Sequence, residues 1–182
     1  MILGDFIPNQ QTNYLENKAN EILLDNFIEH PYEIDLETII DINYKNIKVF
    51  YSNQDSKVII KRNMAVIIVN DRLEYRKQRE ELAEEFCHFL LHCGNQINYK
   101  YNIVLDKQEQ QAKRMSAYLL CPLYMLKTIT IPMDTYCTIH ELADIFNVTY
   151  EFMKYRLSLI WGQDLNLITV HNGEFYGNIS IE

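Results

Sequence analysis

Within residues 12–29, "TNYLENKANEILLDNFIE", the apolar positions Tyr14, Leu15, Ala19, Ile22, Leu23 and Phe27 recur at helical spacing. His30-Pro31 should end that helix, because a residue preceding proline avoids helical backbone angles. "DLETIIDIN" reads as a short second helix capped by Asp35. The pattern then turns β-branched in three runs, "NIKVFYS", "SKVIIKR" and "MAVIIVN", separated by the turn-forming "NQDS" and "RN". A small meander of short strands is expected. A long helix is predicted from about Asp71 to Cys93, with Gly94 placed to end it. After a connection, "NQINYKYNIVLD", the segment "KQEQQAKRMSAYLLCP" predicts another helix stopped before Pro122. "TIHELADIFNVTYEFMKYRLSLI" has the outline of two helices joined at Asn147, and residues 165–181 read as a hairpin turning at Asn172-Gly173. The pattern predicts an α+β fold.

Composition narrows the class. With 182 residues, 48% hydrophobic and 23% charged, the chain can bury a sizeable core and is not disordered. A net charge of −8 disfavours binding to nucleic acid, which depends on cations neutralising phosphates. No apolar run approaches the eighteen or so residues of a membrane span. No basic stretch leads into an apolar segment as in a signal peptide, so a cytoplasmic location is expected. Cys87, Cys93, Cys121 and Cys137 lack paired metal spacing and read as reduced, buried small side chains.

The long helix carries the chemistry. At about 100° per residue, Glu81, Glu84, Glu85, His88 and His92 fall within an arc of roughly 100°, opposite a stripe of Leu82, Phe86, Phe89, Leu90 and Cys93. Glu84 and His88, at i and i+4, can reach one metal ion, and zinc accepts both carboxylate and imidazole. Glu85 would then stand where it could take a proton from water. The plainer reading of this helix alone is a solvated polar face with Glu–His pairs. A third ligand must come from elsewhere, and Glu109 on the next helix is the candidate.

Two segments together resemble the ImmA/IrrE family of metallopeptidases. One is Arg79-Glu80-Glu81-Leu82-Ala83-Glu84-Glu85-Phe86-Cys87-His88-Phe89-Leu90-Leu91-His92; the other begins Glu109-Gln110-Gln111-Ala112 and ends Leu119-Leu120-Cys121-Pro122. The likeness continues through "ELADIFNVTYEFMKYRL". It implies a zincin-like metallopeptidase domain over residues 1–130: N-terminal helices, a three-stranded sheet, an active-site helix and a second ligand helix. Residues 131–182 would form a C-terminal helical hairpin and strand pair packed on it. It also implies a zinc endopeptidase, of a mobile element or stress regulon, that relieves repression by cutting a helix-turn-helix repressor. Carried over by position, Glu85 is the general base and His88 and Glu109 are metal ligands. Glu84 stands where the family has its first His ligand, and His92 falls outside the ligand set.

That exchange makes a Glu/His/Glu set, one negative charge richer than His/His/Glu. Such a set binds zinc less readily, suits manganese or ferrous iron better, and leaves the metal a weaker Lewis acid. Two readings therefore stay open: a working endopeptidase with an altered metal site, or a relative without catalysis, and even without metal, that acts by binding a repressor or other protein. A third, in which "TIHELADIFNVTYEFMKYRLSLI" reads DNA, has only Lys154 and Arg156 as cations on its second helix; a structural hairpin is expected there instead.

Overall fold

The computed structural model describes residues 2–62, 64–92, 102–131, 136–165, 167–171 and 174–177. Side-chain caps start the first two helices, the second of them the expected Asp35. Asn13 accepts the Glu16 N–H at 3.0 Å to open α1 (Tyr14–Asp25), and Asp35 accepts the Thr38 N–H at 3.1 Å to open α2 (Leu36–Asn43). Helix α1 ends before Phe27, which takes a left-handed backbone (φ 56°) and is 90% exposed, so it does not join the buried stripe.

The three strands β1 (Ile47–Ser52), β2 (Lys57–Lys61) and β3 (Met64–Asn70) form a mixed sheet, not the expected meander. Their order is β1-β3-β2: β3 runs parallel to β1 and antiparallel to β2. The reason lies in charge. "MAVIIVN" has no ionisable side chain and suits the centre, while Lys48, Lys57 and Lys61 put the other two runs at the edges. Ala65, Ile67 and Val69 point from β3 into the core, where α3 (Tyr75–His92) packs through Leu82, Phe86 and Phe89. Phe86 meets the Tyr44 ring edge-on at 4.9 Å.

Helix α3 starts four residues later than the pattern predicts. Residues 71–74 form a turn, and the Gln78 side chain donates to the Asp71 and Leu73 carbonyls at 3.2 and 2.7 Å. Helix α4 (Asn102–Leu120) begins earlier than expected and takes in the end of the supposed connection. Cys93, Gly94 and the Asn172-Gly173 turn lie outside the described residues. Cys87 and Cys121 are buried free thiols, as expected.

Beyond a one-turn helix, α5 (Leu123–Leu126), come β4 (Tyr136–Thr138), α6 (Ile139–Phe146), α7 (Tyr150–Trp161), β5 (Leu167–His171) and β6 (Glu174–Gly177). Strand β4, too short for a periodic signal, pairs with β5, which pairs with β6 as the expected hairpin. Asn147 joins α6 to α7 in the left-handed conformation (φ 52°). A reciprocal capping box opens α6: Thr138 accepts the Glu141 N–H at 3.2 Å, and Glu141 accepts the Thr138 N–H at 2.7 Å. Thr138→Ala should cost about 1 kcal/mol in urea unfolding; no change would mean that Glu141 alone suffices.

The first turns of α3 hold this helical pair. Nearly buried Arg79 donates to the Ile34 carbonyl at 3.0 Å and the Phe146 carbonyl at 3.1 Å. Glu80 accepts the Thr149 N–H at 2.6 Å, and Arg76 pairs with Asp144 at 2.7 Å. Arg156 on α7 goes deeper still. It meets Glu16 of α1 at 2.7 Å, donates to the Cys121 carbonyl at 2.7 Å, and lies over the Tyr118 ring at 4.7 Å.

Candidate metal centre

Helices α3 and α4 pack side by side, and the chain brings three predicted donors together where they face each other. His88 Nε2 lies 3.3 Å from Glu109 Oε2. Glu84, one turn before His88, completes the group: one ligand atom from each residue lies within 4.8 Å of the others. Donors at that spacing can close around one ion at about 2.0–2.2 Å with small side-chain adjustment. Two carboxylates and an imidazole are a donor set for zinc, manganese or ferrous iron.

The polar face of α3 is not the solvated face of the plainer reading. The His88 side chain is 15% exposed, and Glu84 and Glu85 are half-buried, because α4 covers one flank and β2 the other. Glu109 keeps 64% of its side chain exposed, so the cluster opens to solvent on the α4 side. His92 closes α3, and its side chain lies outside the described residues.

Burial dominates the electrostatics, and crowding of like charge adds to it. Burial pushes the Glu84 carboxyl above its usual range and Glu81 adds to this, while Lys113 and Lys77 oppose it. Glu85 is pushed up to about 7, first by burial; a hydrogen bond from the Val58 backbone N–H works against the shift, and Glu84, Glu109 and Glu81 reinforce it. A divalent cation among Glu84, His88 and Glu109 would relieve this repulsion, so the residues fit the group on charge as well as on donor type. Glu85 lies beside this cluster on α3, held by the Val58 backbone of the edge strand β2.

Two neighbours escaped the sequence reading. Lys113, one turn beyond Glu109 on α4, lies with its ammonium 5.0 Å from the centre of the Tyr155 ring. Tyr155 comes from α7, more than 40 positions away, so nothing in the sequence pointed to it. The i,i+4 spacing of Glu109 and Lys113 was visible, but a Glu–Lys pair on a helix normally signifies only surface stability.

Comparison with known proteins gives the family. The IrrE N-terminal-like domain family (peptidase M78) matches residues 38–158, well over half of the chain. The phage-like element PBSX protein XkdA of Bacillus subtilis is 26% identical over 158 residues, covering 86% of this chain and 75% of that protein. Among solved structures, a Mycobacterium tuberculosis transcriptional regulator superposes with a TM-score of 0.54 at 15% identity, over 79% of this chain and 46% of that one. This chain thus spans less than half of that regulator, and the likeness is one of fold. Among the described residues no helix is long and apolar enough to cross a membrane. By this match over residues 38–158, the chain belongs to the IrrE N-terminal-like domain family (peptidase M78).

Proposed function

We propose that the protein is a metal-dependent endopeptidase that cleaves a transcriptional regulator of the helix-turn-helix class, in a mobile-element or stress-response setting. The observation that carries this is the convergence of Glu84, His88 and Glu109, with Glu85 next to Glu84 on α3 and within its electrostatic reach. Glu84, His88 and Glu109 would hold the ion, which supplies Lewis-acid polarisation of a carbonyl and a more acidic water when bound. Glu85 accepts a proton from the attacking water at its carboxylate and passes it to the leaving nitrogen. A carboxylate whose pKa is raised toward neutrality is suited to both halves of that transfer. The phage-element relative supports the mobile-element setting, and the family match, together with a regulator that shares the fold, supports a regulatory one.

Residues 1–130 carry the chemistry in this reading, and residues 131–182 brace it. Arg156, one of two cations available for reading DNA, is 1% exposed and committed to Glu16, which supports a brace and not a nucleic-acid interface. Glu84 in place of His favours a second reading, a relative that binds its regulator without cutting it.

Metal content and turnover separate the two. Purified without chelator, the protein should hold about one equivalent of zinc, manganese or iron, lost in Glu109→Ala. Glu85→Gln should keep the metal and lower cleavage of a fluorogenic peptide mixture about 10²–10⁴-fold. Cleavage unaffected by Glu85→Gln would refute the assigned base. A protein that takes up no zinc, manganese or iron from excess belongs to the binding reading.

A further inference from the structure

The register of the three-stranded sheet assigns its outer face. Lys48 and Phe50 of β1, Lys57, Ile59 and Lys61 of β2, and Met64, Val66 and Ile68 of β3 share the side away from α3. Helix α3 packs on the opposite side, over Ala65, Ile67 and Val69. Phe50, Ile59 and Met64 are 55%, 50% and 61% exposed, whereas Ala65, Ile67 and Val69 on the other side are at most 1% exposed. An apolar diagonal runs from Phe50 through Ile68 and Val66 to Ile59, with Lys57 and Lys48 at the remaining corners and Lys61 beyond.

Every ionisable side chain on this face is a lysine. The chain has 25 acidic residues against 17 basic ones, yet none of the three strands contains Asp or Glu. None of the three lysines is in an ion pair among the described residues. An exposed apolar centre rimmed by polar groups is the usual form of a protein-docking patch. The strands' own charges have one sign, opposite to that of the chain as a whole, so they select an acidic partner, with Glu37 and Asp41 of α2 bordering only the Lys48 edge.

The dimensions select the shape. Strands spaced about 4.8 Å apart make the face about 10 Å wide, and seven residues of β3 make it about 20 Å long. One α-helix, about 10 Å across with a rise of 1.5 Å per residue, covers it with about 13 residues. A phosphate backbone would gain nothing from the apolar centre, and these side chains lie level with a rigid sheet, too shallow to enter a bilayer.

We propose that this outer face docks an acidic amphipathic helix of a protein partner, with apolar side chains on the Phe50–Ile59 diagonal and carboxylates at Lys48, Lys57 and Lys61. The proposal stands whether or not the metal centre is active.

The probe is a fluorescein-labelled 18-residue helical peptide with leucines at i, i+3, i+4 and i+7 and glutamates elsewhere. Fluorescence anisotropy should show saturable binding that weakens about fivefold or more between 50 and 300 mM salt. Exchanging its glutamates for lysines should abolish binding. The triple variant Lys48→Glu/Lys57→Glu/Lys61→Glu should bind at least about tenfold more weakly, and so should Phe50→Ser/Ile59→Ser. Circular dichroism identifies any variant that fails to fold, and amide shifts on the wild-type protein, confined to residues 47–70, locate the contact independently. No saturable binding overturns the proposal, as does unchanged binding by the folded triple variant or shifts centred elsewhere. Preferential binding to phosphatidylglycerol vesicles or a 20-base-pair duplex would assign the face to a membrane or nucleic acid instead.

Discussion

Glu16→Ala is expected to lower the stability of the protein by about 3–5 kcal/mol, a large share of the 5–15 kcal/mol typical of a domain. The variant leaves Arg156 charged and 1% exposed with its 2.7 Å carboxylate partner gone. Burial already works against the Arg156 charge, and Glu16 is the main group opposing that effect. The Cys121 carbonyl and the Tyr118 ring remain, but neither carries a full negative charge. Since Glu16 lies on α1, Tyr118 on α4 and Arg156 on α7, the loss loosens three helices at once. Replacing both partners, as Glu16→Leu/Arg156→Met, should recover most of the stability, because two apolar side chains leave no uncompensated charge. Urea unfolding of the single and double variants measures this. A loss below 1 kcal/mol in Glu16→Ala would mean that water reaches Arg156.

Glu84→His is expected to raise zinc affinity at neutral pH by about tenfold or more, each factor of ten being about 1.4 kcal/mol. The exchange replaces a hard anionic donor with a neutral imidazole that zinc prefers, and removes one of two carboxylates from the donor set. It also lightens a site in which Glu84, Glu85, Glu109 and Glu81 repel one another. Manganese affinity should fall or stay level, so that the zinc-to-manganese ratio rises, as competition against a chromophoric chelator would report. Peptide hydrolysis with zinc should rise in parallel, because a less anionic donor set leaves the ion a stronger Lewis acid. Unchanged zinc affinity would place the ion away from position 84 and remove the basis for assigning Glu84 a ligand role.

Much of the site was legible in the chain because helices convert spacing into geometry. Glu84, Glu85 and His88 share a face by the 3.6-residue period alone, and the cap Asp35 acts through a bond made within three residues. Glu109 was found by resemblance, since nothing in its own helix distinguishes it from a surface glutamate. Strand existence was equally clear, yet strand order was not. Three β-branched runs are compatible with a meander, and the parallel pairing that puts β3 between β1 and β2 is made only in the assembled sheet.

What the sequence by itself determined is the local chemistry: which residues form each helix, which of its faces is polar, and which acids and imidazoles share that face. The tertiary structure alone decided burial. It converted the polar face of α3 from a solvated surface into a half-enclosed cluster by laying α4 and β2 beside it. It also turned Arg156 from a candidate phosphate contact into the charged centre of a three-helix junction, 140 positions from its partner Glu16. Such effects depend on which segments lie against each other, and a charge's energy is set by the dielectric and partners that those segments supply.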